Sequence, residues 1–305
     1  MKAATIELHS PAANEAVAPL GAKVRLAAYV ELTKPRITFL IVLTSAAGFC
    51  LGSPGPVNYV LFAHAMIAIA LLSSGIATLN QFIERDLDGL MRRTVDRPLP
   101  SHRLLPLEAL WFGVLLTATA EIYLALFVNG LSAALGLAVI AGYLLLYTPL
   151  KTRTSLSTAI GAFPGAMPPL IGWTAARGKV DVGALVLFAI LFLWQFPHFL
   201  AIAWMYREDY GRAGIVMLPV LEPDGRVTGQ QIIAYTLMLI PISLLPTAMG
   251  ISGKVYFVAA LALGLVFLAT AIRAALSKSN QHARQLLLAS VLYLPLLFGV
   301  MVLNQ

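Results

Sequence analysis

Cysteine and charge are both scarce in this chain of 305 residues. Its one cysteine, Cys50, excludes an intrachain disulfide and any metal site built from several thiolates. Charged residues make up 11% of the sequence against 59% hydrophobic residues, and the mean hydropathy is +0.83. A composition this apolar excludes an ordinary soluble domain. Because no soluble domain carries the net charge of +7, we expect no binding to nucleic acid.

The N-terminal segment lacks the apolar core of a secretory signal and the Arg-rich, acid-poor composition of an organelle transit peptide. It is polar and contains Glu7 and Glu15. We therefore predict a disordered cytoplasmic tail over residues 1–28, followed by a single intramembrane domain over residues 29–305. The absence of both targeting signals favours the inner membrane of a bacterial cell.

What the chain does have is a series of nine apolar stretches. A stretch of about 20 residues spans the hydrocarbon core of a bilayer, so we predict about nine membrane helices. The fifth stretch contains Pro164, Pro168 and Pro169. A membrane helix tolerates such breaks only where neighbouring helices or a cavity satisfy the freed backbone groups, so we expect the fifth stretch to face the protein interior. The stretches are residues 37–55, 58–82, 108–128, 131–148, 157–175, 182–205, 230–250, 255–275 and 285–303.

Lysine and arginine are distributed unequally between the two sides of this topology. Eighteen of the 21 lie on the side of the N-terminus and the long polar loops, and the other side has only Arg177, Lys179 and Lys254. The positive-inside rule then places the N-terminus in the cytoplasm and the C-terminus outside. The basic side also suits the anionic headgroups of the lipid bilayer. Two loops on that side, 83–107 and 206–229, contain aliphatic and aromatic residues, and we interpret them as ordered caps over a cavity among the helices.

The densest group of charges lies between residues 80 and 103, directly after the second apolar stretch. This segment contains four acids and five arginines. Within it, Asn80, Glu84 and Asp88 are spaced i, i+4, i+8, which puts all three on one face of an α-helix. Their oxygens are the ligands that Mg²⁺ prefers, commonly together with substrate phosphates. The spacing therefore predicts a column of metal ligands at a helix end.

Arginines follow this column and extend the prediction to a diphosphate. Arg93 and Arg97 lie downstream, and guanidinium groups bind phosphate oxygens bidentately. Carboxylates for a metal and arginines for phosphates are together what a diphosphate site needs. The alternative is that Glu84 with Arg85, or Asp88 with Arg92, forms an ordinary surface ion pair, each worth under about 1 kcal/mol.

Further short motifs accompany this segment along the chain. They are Leu32-Thr33-Lys34-Pro35-Arg36, Asn80-Gln81, Arg93-Thr94, Arg97-Pro98-Leu99, Tyr147-Thr148-Pro149-Leu150-Lys151, Gly165-Ala166, Pro168-Pro169, Gly172-Trp173, Trp194-Gln195-Phe196-Pro197-His198-Phe199, Asp209-Tyr210, Ala213-Gly214 and Met217-Leu218-Pro219. Over about residues 30–220 the chain resembles the UbiA superfamily of intramembrane prenyltransferases, and within it the branch that acts on haem. It departs from the superfamily in two ways. Glu84 stands where Asp is common, and the second acidic motif keeps only Glu208 and Asp209, so the site relies less on a second metal.

The resemblance implies an all-α polytopic membrane bundle of about nine helices around a central cavity capped by cytoplasmic loops. It also implies transfer of the farnesyl group of farnesyl diphosphate to a vinyl group of haem B, with addition of water, to give haem O. Mg²⁺ is the implied cofactor. Its implied ligands are Asn80, Glu84, Asp88 and Asp209, and the implied catalytic residues are Asn80, Glu84, Asp88, Arg93 and Arg97. The implied substrate-binding residues are Lys34, Arg36, Lys151, His198, Tyr206 and Asp209.

Two other functions stay open at this point. The first keeps the fold but uses an aromatic quinone precursor as the acceptor. The second is a membrane transporter, for which ionisable residues near the middle of several helices would be expected. His198 either ligates haem iron or is hydrogen-bonded inside the bundle, and the role of Glu121, deep in the third stretch, is undecided. A downstream haem-modifying or oxidase-assembly protein is a further expected partner.

Overall fold

The computed structural model describes residues 21–305, and every regular element in that range is helical. A π-helical segment, Ala141–Tyr147, lies between α5 and α6. The predicted all-α bundle is confirmed. The α-helices are α1 (Ala22–Leu32), α2 (Pro35–Gly52), α3 (Tyr59–Gly89), α4 (Pro106–Phe127), α5 (Gly130–Ile140), α6 (Thr148–Leu150), α7 (Ser157–Gly165), α8 (Met167–Arg177), α9 (Val182–Met205), α10 (Arg207–Arg212), α11 (Leu218–Leu221), α12 (Arg226–Ala248), α13 (Lys254–Ser277) and α14 (Asn280–Leu303).

Eight helical stretches within residues 21–305 are long and apolar enough to cross a membrane. They are α2, α3, α4, the combined stretch Gly130–Leu150, α9, α12, α13 and α14. Several begin where a polar side chain accepts an N–H of the first turn, as Asn58, Asn129 and Asp181 do, because these N–H groups have no partner within the helix. The chain is therefore a multi-pass membrane protein.

The fifth apolar stretch is not one continuous helix. It is divided into α7 and α8, which meet at Ala166. Pro168 and Pro169 fall in the first turn of α8, where their missing N–H groups would have had no helical partner. The prolines therefore favour a new helix start. Every residue of α8 from Met167 to Ala175 is buried, which confirms the interior position for the α8 half of the stretch, whereas Phe163 of α7 is 53% exposed.

Glycines allow α8 to approach α2 closely. Gly48 lies against the backbone carbonyl of Pro169, and Gly172 lies against the carbonyl of Ser45, so that a Cβ atom at either glycine would clash. Backbone contact through small residues is typical of helix packing in membranes, where dispersion forces and not exclusion of water hold helices together. This contact fixes the divided stretch inside the bundle.

The first helix extends into the segment that the sequence assigns to a disordered tail. α1 begins at Ala22, ahead of the predicted domain boundary at residue 29. Residues 22–28 are therefore helical, whereas residues 1–20 of the predicted tail lie outside the described residues.

Contacts with distant parts of the chain explain why α1 forms. Ala28 and Leu32 are buried in a cluster with Leu99 of the segment between α3 and α4. Because these partners are far away in sequence, the local pattern of α1 does not reveal them. Two ion pairs reinforce the contact, Arg25–Glu108 at 2.5 Å and Glu31–Arg103 at 2.8 Å.

The ends of the helices separate into two groups. At one end, Arg177 donates to the carbonyl oxygen of Gly52 at 2.9 Å, and Asn129 donates to that of Thr174 at 2.9 Å. The C-terminal end of α3 and the two predicted caps lie together at the opposite end, where Met91 of the first cap is buried beside Tyr210 of the second. Apolar residues from both caps therefore pack against each other and hold the caps in place.

Candidate active site

The last turns of α3 present the predicted column of oxygen ligands. Asn80, Glu84 and Asp88 lie on one face of the helix and are 2%, 7% and 1% exposed. Burial of two carboxylates and an amide at a helix end is costly unless each finds a partner. The column is therefore part of a built polar site and not a solvated helix surface.

Each member of the column contacts one basic side chain from elsewhere in the chain. Lys34 Nζ donates to Asn80 Oδ1 at 3.2 Å. The other two contacts are the ion pairs Lys151 Nζ–Glu84 Oε1 at 2.6 Å and Arg97 Nη1–Asp88 Oδ2 at 2.7 Å. The alternative of ordinary surface pairs is wrong, since Glu84 pairs with Lys151 and not with Arg85, and Asp88 pairs with Arg97 and not with Arg92.

Lys34 reaches the column from a strained junction between α1 and α2. Its backbone is left-handed, with φ 47° and ψ 60°, a conformation that costs energy for a residue other than glycine. Gln81 supports this junction, because its Nε2 donates to the carbonyl oxygen of Leu32 at 2.9 Å. Such strain persists where the surrounding structure enforces it and is concentrated at functional sites.

Lys151 is held from three directions. The ring of Tyr147 lies 4.4 Å from its ammonium group, Glu84 accepts its hydrogen bond, and its own carbonyl accepts the Val216 N–H at 2.7 Å. The last contact ties the second cap to the chain segment after α6. Lys151 is therefore fixed in both backbone and side chain.

Burial and neighbouring groups shift the pKa values of Lys34 and Lys151 in opposite directions. Burial is the largest cause that lowers the pKa of Lys34, from its usual 10.5 to about 7, and the charges of Arg97 and Lys151 act in the same direction against the opposing charge of Glu84. Burial also disfavours the charged form of Lys151, but Tyr147 and Glu84 outweigh it and raise its pKa. An anion beside Lys34 would favour its charged form, as a substrate phosphate would.

Arg93, Tyr206 and Asp209 come together in a second group between the caps. The Arg93 guanidinium lies 5.0 Å from the ring of Tyr206, and its backbone N–H donates to Asp209 Oδ2 at 3.3 Å. The carboxylate of Asp209 also accepts a hydrogen bond from Arg212. A cleft of about 360 Å³ opens here, lined by Arg92, Arg93, Met205, Tyr206, Glu208 and Asp209.

The oxygen atoms of the column fit a hard divalent cation. Asp88 Oδ1 is buried and has no hydrogen-bond partner among residues 21–305, so one carboxylate oxygen is left for a ligand. Two carboxylates and one amide suit Mg²⁺, which usually completes its shell with water and substrate phosphates. Within the described residues no group of three or more His, Cys, Asp or Glu side chains converges. The protein therefore offers a partial shell that a phosphate-bearing substrate would complete.

Two predicted site residues lie apart from these groups. His198 Nδ1 is 2.8 Å from the hydroxyl of Ser290 on α14, and its ring stacks on Trp194 at 4.7 Å. The structure therefore shows a histidine hydrogen-bonded inside the bundle. Arg36 is exposed on α2, and no hydrogen bond or ion pair joins it to the cluster within the part of the chain that the structure describes.

Sequence reasoning missed the side chains that orient the predicted ones. Thr148 and Gln81, 3% and 2% exposed, lie beside the column, and their presence within two of the short motifs is the one signal that could have indicated them. Glu121 stays without a role. Both of its carboxylate oxygens are buried without a hydrogen-bond partner among residues 21–305 and lie against Gly136.

The fold and the site together define the class of protein to which this chain belongs. The chain is a polytopic membrane protein whose helices hold hard oxygen ligands and basic side chains at one end, as an enzyme that acts on a metal-bound polyphosphate requires. The profile of the UbiA prenyltransferase family matches residues 41–296. The chain belongs to the UbiA prenyltransferase family, which confirms the predicted membership and makes the chain a prenyltransferase. The alternative of a membrane transporter thereby loses its support.

Individual relatives agree with this assignment. The chain is 52% identical over 286 residues to the protoheme IX farnesyltransferase of Solibacter usitatus (strain Ellin6076). The aligned region covers 91% of this chain and 98% of the relative. The fold of this chain matches that of a solved digeranylgeranylglyceryl phosphate synthase with a TM-score of 0.76 at 15% identity. The match covers 92% of this chain and 98% of the solved one. A UbiA homolog from Archaeoglobus fulgidus bound to GPP and Mg²⁺ matches with a TM-score of 0.66 at 17% identity, over 90% and 99%. At such identities the two structures establish only the fold of this chain.

Proposed function

We propose that this chain transfers the farnesyl group of farnesyl diphosphate to a vinyl group of haem B, with addition of water, and so forms haem O. The choice of substrates is supported by the relative with 52% identity over most of the chain, which is named protoheme IX farnesyltransferase. The observation that carries the proposal is the cluster on α3, where three buried oxygen ligands each contact a basic side chain.

Mg²⁺ is the proposed cofactor, with Asn80, Glu84 and Asp88 as its ligands. When bound, it would supply positive charge that stabilises the diphosphate as a leaving group. Support comes from Asp88 Oδ1, which has no hydrogen-bond partner among residues 21–305, and from the homolog that binds GPP and Mg²⁺. Asp209 is proposed as a further ligand from the second cap, where its carboxylate already holds the backbone of Arg93.

The basic side chains of the site would act on the same leaving group. Lys34, Lys151 and Arg97 each lie one contact away from a proposed metal ligand, so phosphate oxygens at that metal would lie within their reach. Donors aimed at the position where negative charge develops are usually the largest catalytic contribution, and the loss of one typically costs about 10²–10³ in rate. Arg93 would add a guanidinium from the cleft between the caps.

The reaction needs no nucleophile from the protein. The C1–O bond of farnesyl diphosphate breaks, and its electron pair leaves with the diphosphate. The π electrons of the haem vinyl group form the new bond to C1, and the carbocation left beside the porphyrin ring takes up water, which then loses a proton. Apolar and aromatic walls would keep other water away from the cations. Cys50 lies at the other end of the bundle, beside Gln305, and takes no part.

We further propose that the protein lies in a bacterial inner membrane with the cluster on the cytoplasmic side. The N-terminus would be cytoplasmic and the C-terminus outside, since the sequence assigns 18 of the 21 lysines and arginines to the side of the loops that carry the cluster. Both substrates carry anionic groups at one end and an apolar body, which suits a basic site at the rim of a membrane bundle. Arg36, Tyr206 and His198 are kept as proposed substrate contacts. A haem-modifying or oxidase-assembly protein would receive the product.

The test is a direct assay of the purified full chain. Farnesyl diphosphate, Mg²⁺ and haem B should yield a haem product that is heavier by one farnesyl group and one water, as read by mass spectrometry. The yield should fall to background when the metal is chelated and should return when Mg²⁺ is restored. Prenylation of a phenolic quinone precursor with haem left unchanged would overturn the proposed acceptor and favour the first alternative.

A further inference from the structure

Asn80 differs from the other two members of the column, because its side chain can present either an oxygen or an NH₂ group. A carboxylate offers oxygen in both orientations, whereas an amide must be turned the right way to bind a metal. Asn80 is 2% exposed, so water cannot hold it in place. Neighbouring side chains must therefore fix which end of this amide faces the site.

Lys34 and Thr148 fix the orientation of the Asn80 amide, because one contacts its oxygen and the other its nitrogen. Lys34 Nζ lies 3.2 Å from Asn80 Oδ1. In its charged form, which an anion at the site favours, this group is a donor only, so the atom it contacts must be the oxygen. Thr148 Oγ1 lies 3.4 Å from Asn80 Nδ2. A hydroxyl carries one hydrogen, and Thr148 donates that hydrogen to the carbonyl oxygen of Tyr143 at 2.8 Å. Its oxygen can then only accept, which requires the NH₂ end of Asn80.

The π-helical segment provides the carbonyl that commits the Thr148 hydroxyl. In an α-helix the Thr148 N–H would bond the carbonyl of Leu144. Here it bonds Tyr143, five residues back, and the hydroxyl bonds the same carbonyl. Pro149 follows directly; it has no N–H and its ring crowds the carbonyl four residues earlier. Isolated π-helical turns are often found at functional sites.

We propose that Thr148 is a positioning residue of the metal and diphosphate site. Its hydroxyl, committed to Tyr143, fixes the amide of Asn80 with Oδ1 towards the metal and the NH₂ group away from it. The inference rests on the proposed function, since it assigns a role to Thr148 through a proposed metal ligand. Hydrogen-bond partners of metal ligands typically change metal affinity or activity 10–100-fold when they are removed.

Metal binding by the full chain in detergent tests the proposal apart from turnover. Titration calorimetry with Mg²⁺ in the presence of inorganic pyrophosphate gives the affinity of each variant. Thr148→Val keeps the shape but removes the hydroxyl, and should weaken Mg²⁺ binding about tenfold. Thr148→Ser keeps the hydroxyl and should stay within about twofold of the wild type. If Thr148→Val lowers the melting temperature, Thr148→Ala also removes the hydroxyl and gives a second measurement of its effect on Mg²⁺ affinity.

A matched control and a second background make the result specific. Thr236 on α12 is also fully buried, with its hydroxyl on a carbonyl of its own helix at 2.7 Å, so Thr236→Val should leave Mg²⁺ affinity unchanged. In an Asn80→Asp background either carboxylate oxygen can face the metal. Thr148→Val should then cause less than about a twofold further loss, because Thr148 acts through the amide.

Each outcome bears on the proposal. Wild-type affinity in Thr148→Val, equal losses in the Val and Ser variants, or a full tenfold loss in the Asn80→Asp background would each overturn the role of Thr148. If the wild type binds no Mg²⁺ with pyrophosphate, the proposed function fails together with the inference. If binding follows the expected series but haem is not farnesylated, the proposed acceptor fails while the role of Thr148 stands.

Discussion

The ion pair between Glu84 and Lys151 allows the stability of the site to be separated from its activity. The two side chains are 9% and 14% exposed and their charged atoms are 2.6 Å apart. We compare Glu84→Gln, Lys151→Met and the double variant. Each single change should destabilise the protein, whereas the double change should restore most of the stability without restoring turnover.

The expected magnitudes follow from the burial and distance of the pair. At 2.6 Å and an effective dielectric constant of about 20, the gross attraction is about 6 kcal/mol, most of which only offsets desolvation of the two groups. Removal of one partner leaves the other buried and unpaired, at a cost of about 3 kcal/mol or more, whereas neutral replacement of both partners is often nearly without cost. The coupling free energy in the double-mutant cycle should therefore be at least about 2 kcal/mol.

The assay is equilibrium unfolding in mixed micelles, followed by circular dichroism, with haem farnesylation measured in parallel. Turnover should fall by about 10² or more in all three variants, because a proposed metal ligand or a phosphate donor is lost in each. The control is the pair Arg177–Asp181 at the opposite end of the bundle, which is 3.2 Å apart with side chains 30% and 27% exposed. Neutral replacement there should change the free energy of unfolding by less than about 1 kcal/mol and leave turnover intact.

One result would refute the reasoning. If the losses of the single variants add in the double variant, Glu84 and Lys151 are not energetically coupled, and the cluster is not held together as the structure indicates. Recovery of turnover in the double variant would instead show that the charges matter for folding alone, and would contradict the proposed metal and phosphate roles.

Three further changes test other parts of the structure. Asp88→Ala should abolish turnover while the protein still inserts into the membrane, and normal activity would contradict the proposed metal column. Arg36→Ala should raise the KM for farnesyl diphosphate by less than about fivefold, and the effect should disappear at high salt because an exposed charge is screened; a larger, salt-independent loss would mean a direct contact. Gly172→Ala should lower the yield and the melting temperature of the folded protein, since its new methyl group would meet the carbonyl of Ser45; an unchanged melting temperature would contradict the close packing of α2 and α8.

The sequence predicted the elements whose signals are local. Helical periodicity put Asn80, Glu84 and Asp88 on one face, and they share a buried face of α3. Continuous apolar stretches predicted the long membrane helices, because spanning a bilayer depends on length and hydropathy alone. The prolines near residue 166 predicted an interior position for the fifth stretch, although its division into α7 and α8 had to be read from the structure.

Partners that come from distant parts of the chain could not be predicted in the same way. The sequence grouped the acids with arginines on the same segment, but Glu84 pairs with Lys151 and Asn80 with Lys34. The helix α1 and the hydrogen bond of His198 to Ser290 likewise depend on contacts between segments far apart in sequence. The residue pattern within one segment does not predict a contact with a distant segment.

The sequence by itself determined the long membrane helices and the family, and it predicted the side chains proposed as oxygen ligands. Only the tertiary structure decided which cation meets which ligand and which way the Asn80 amide points. The physical reason is that helix formation follows from neighbours along the chain, whereas the energy of a buried charge or amide depends on groups that packing alone brings within about 3 Å.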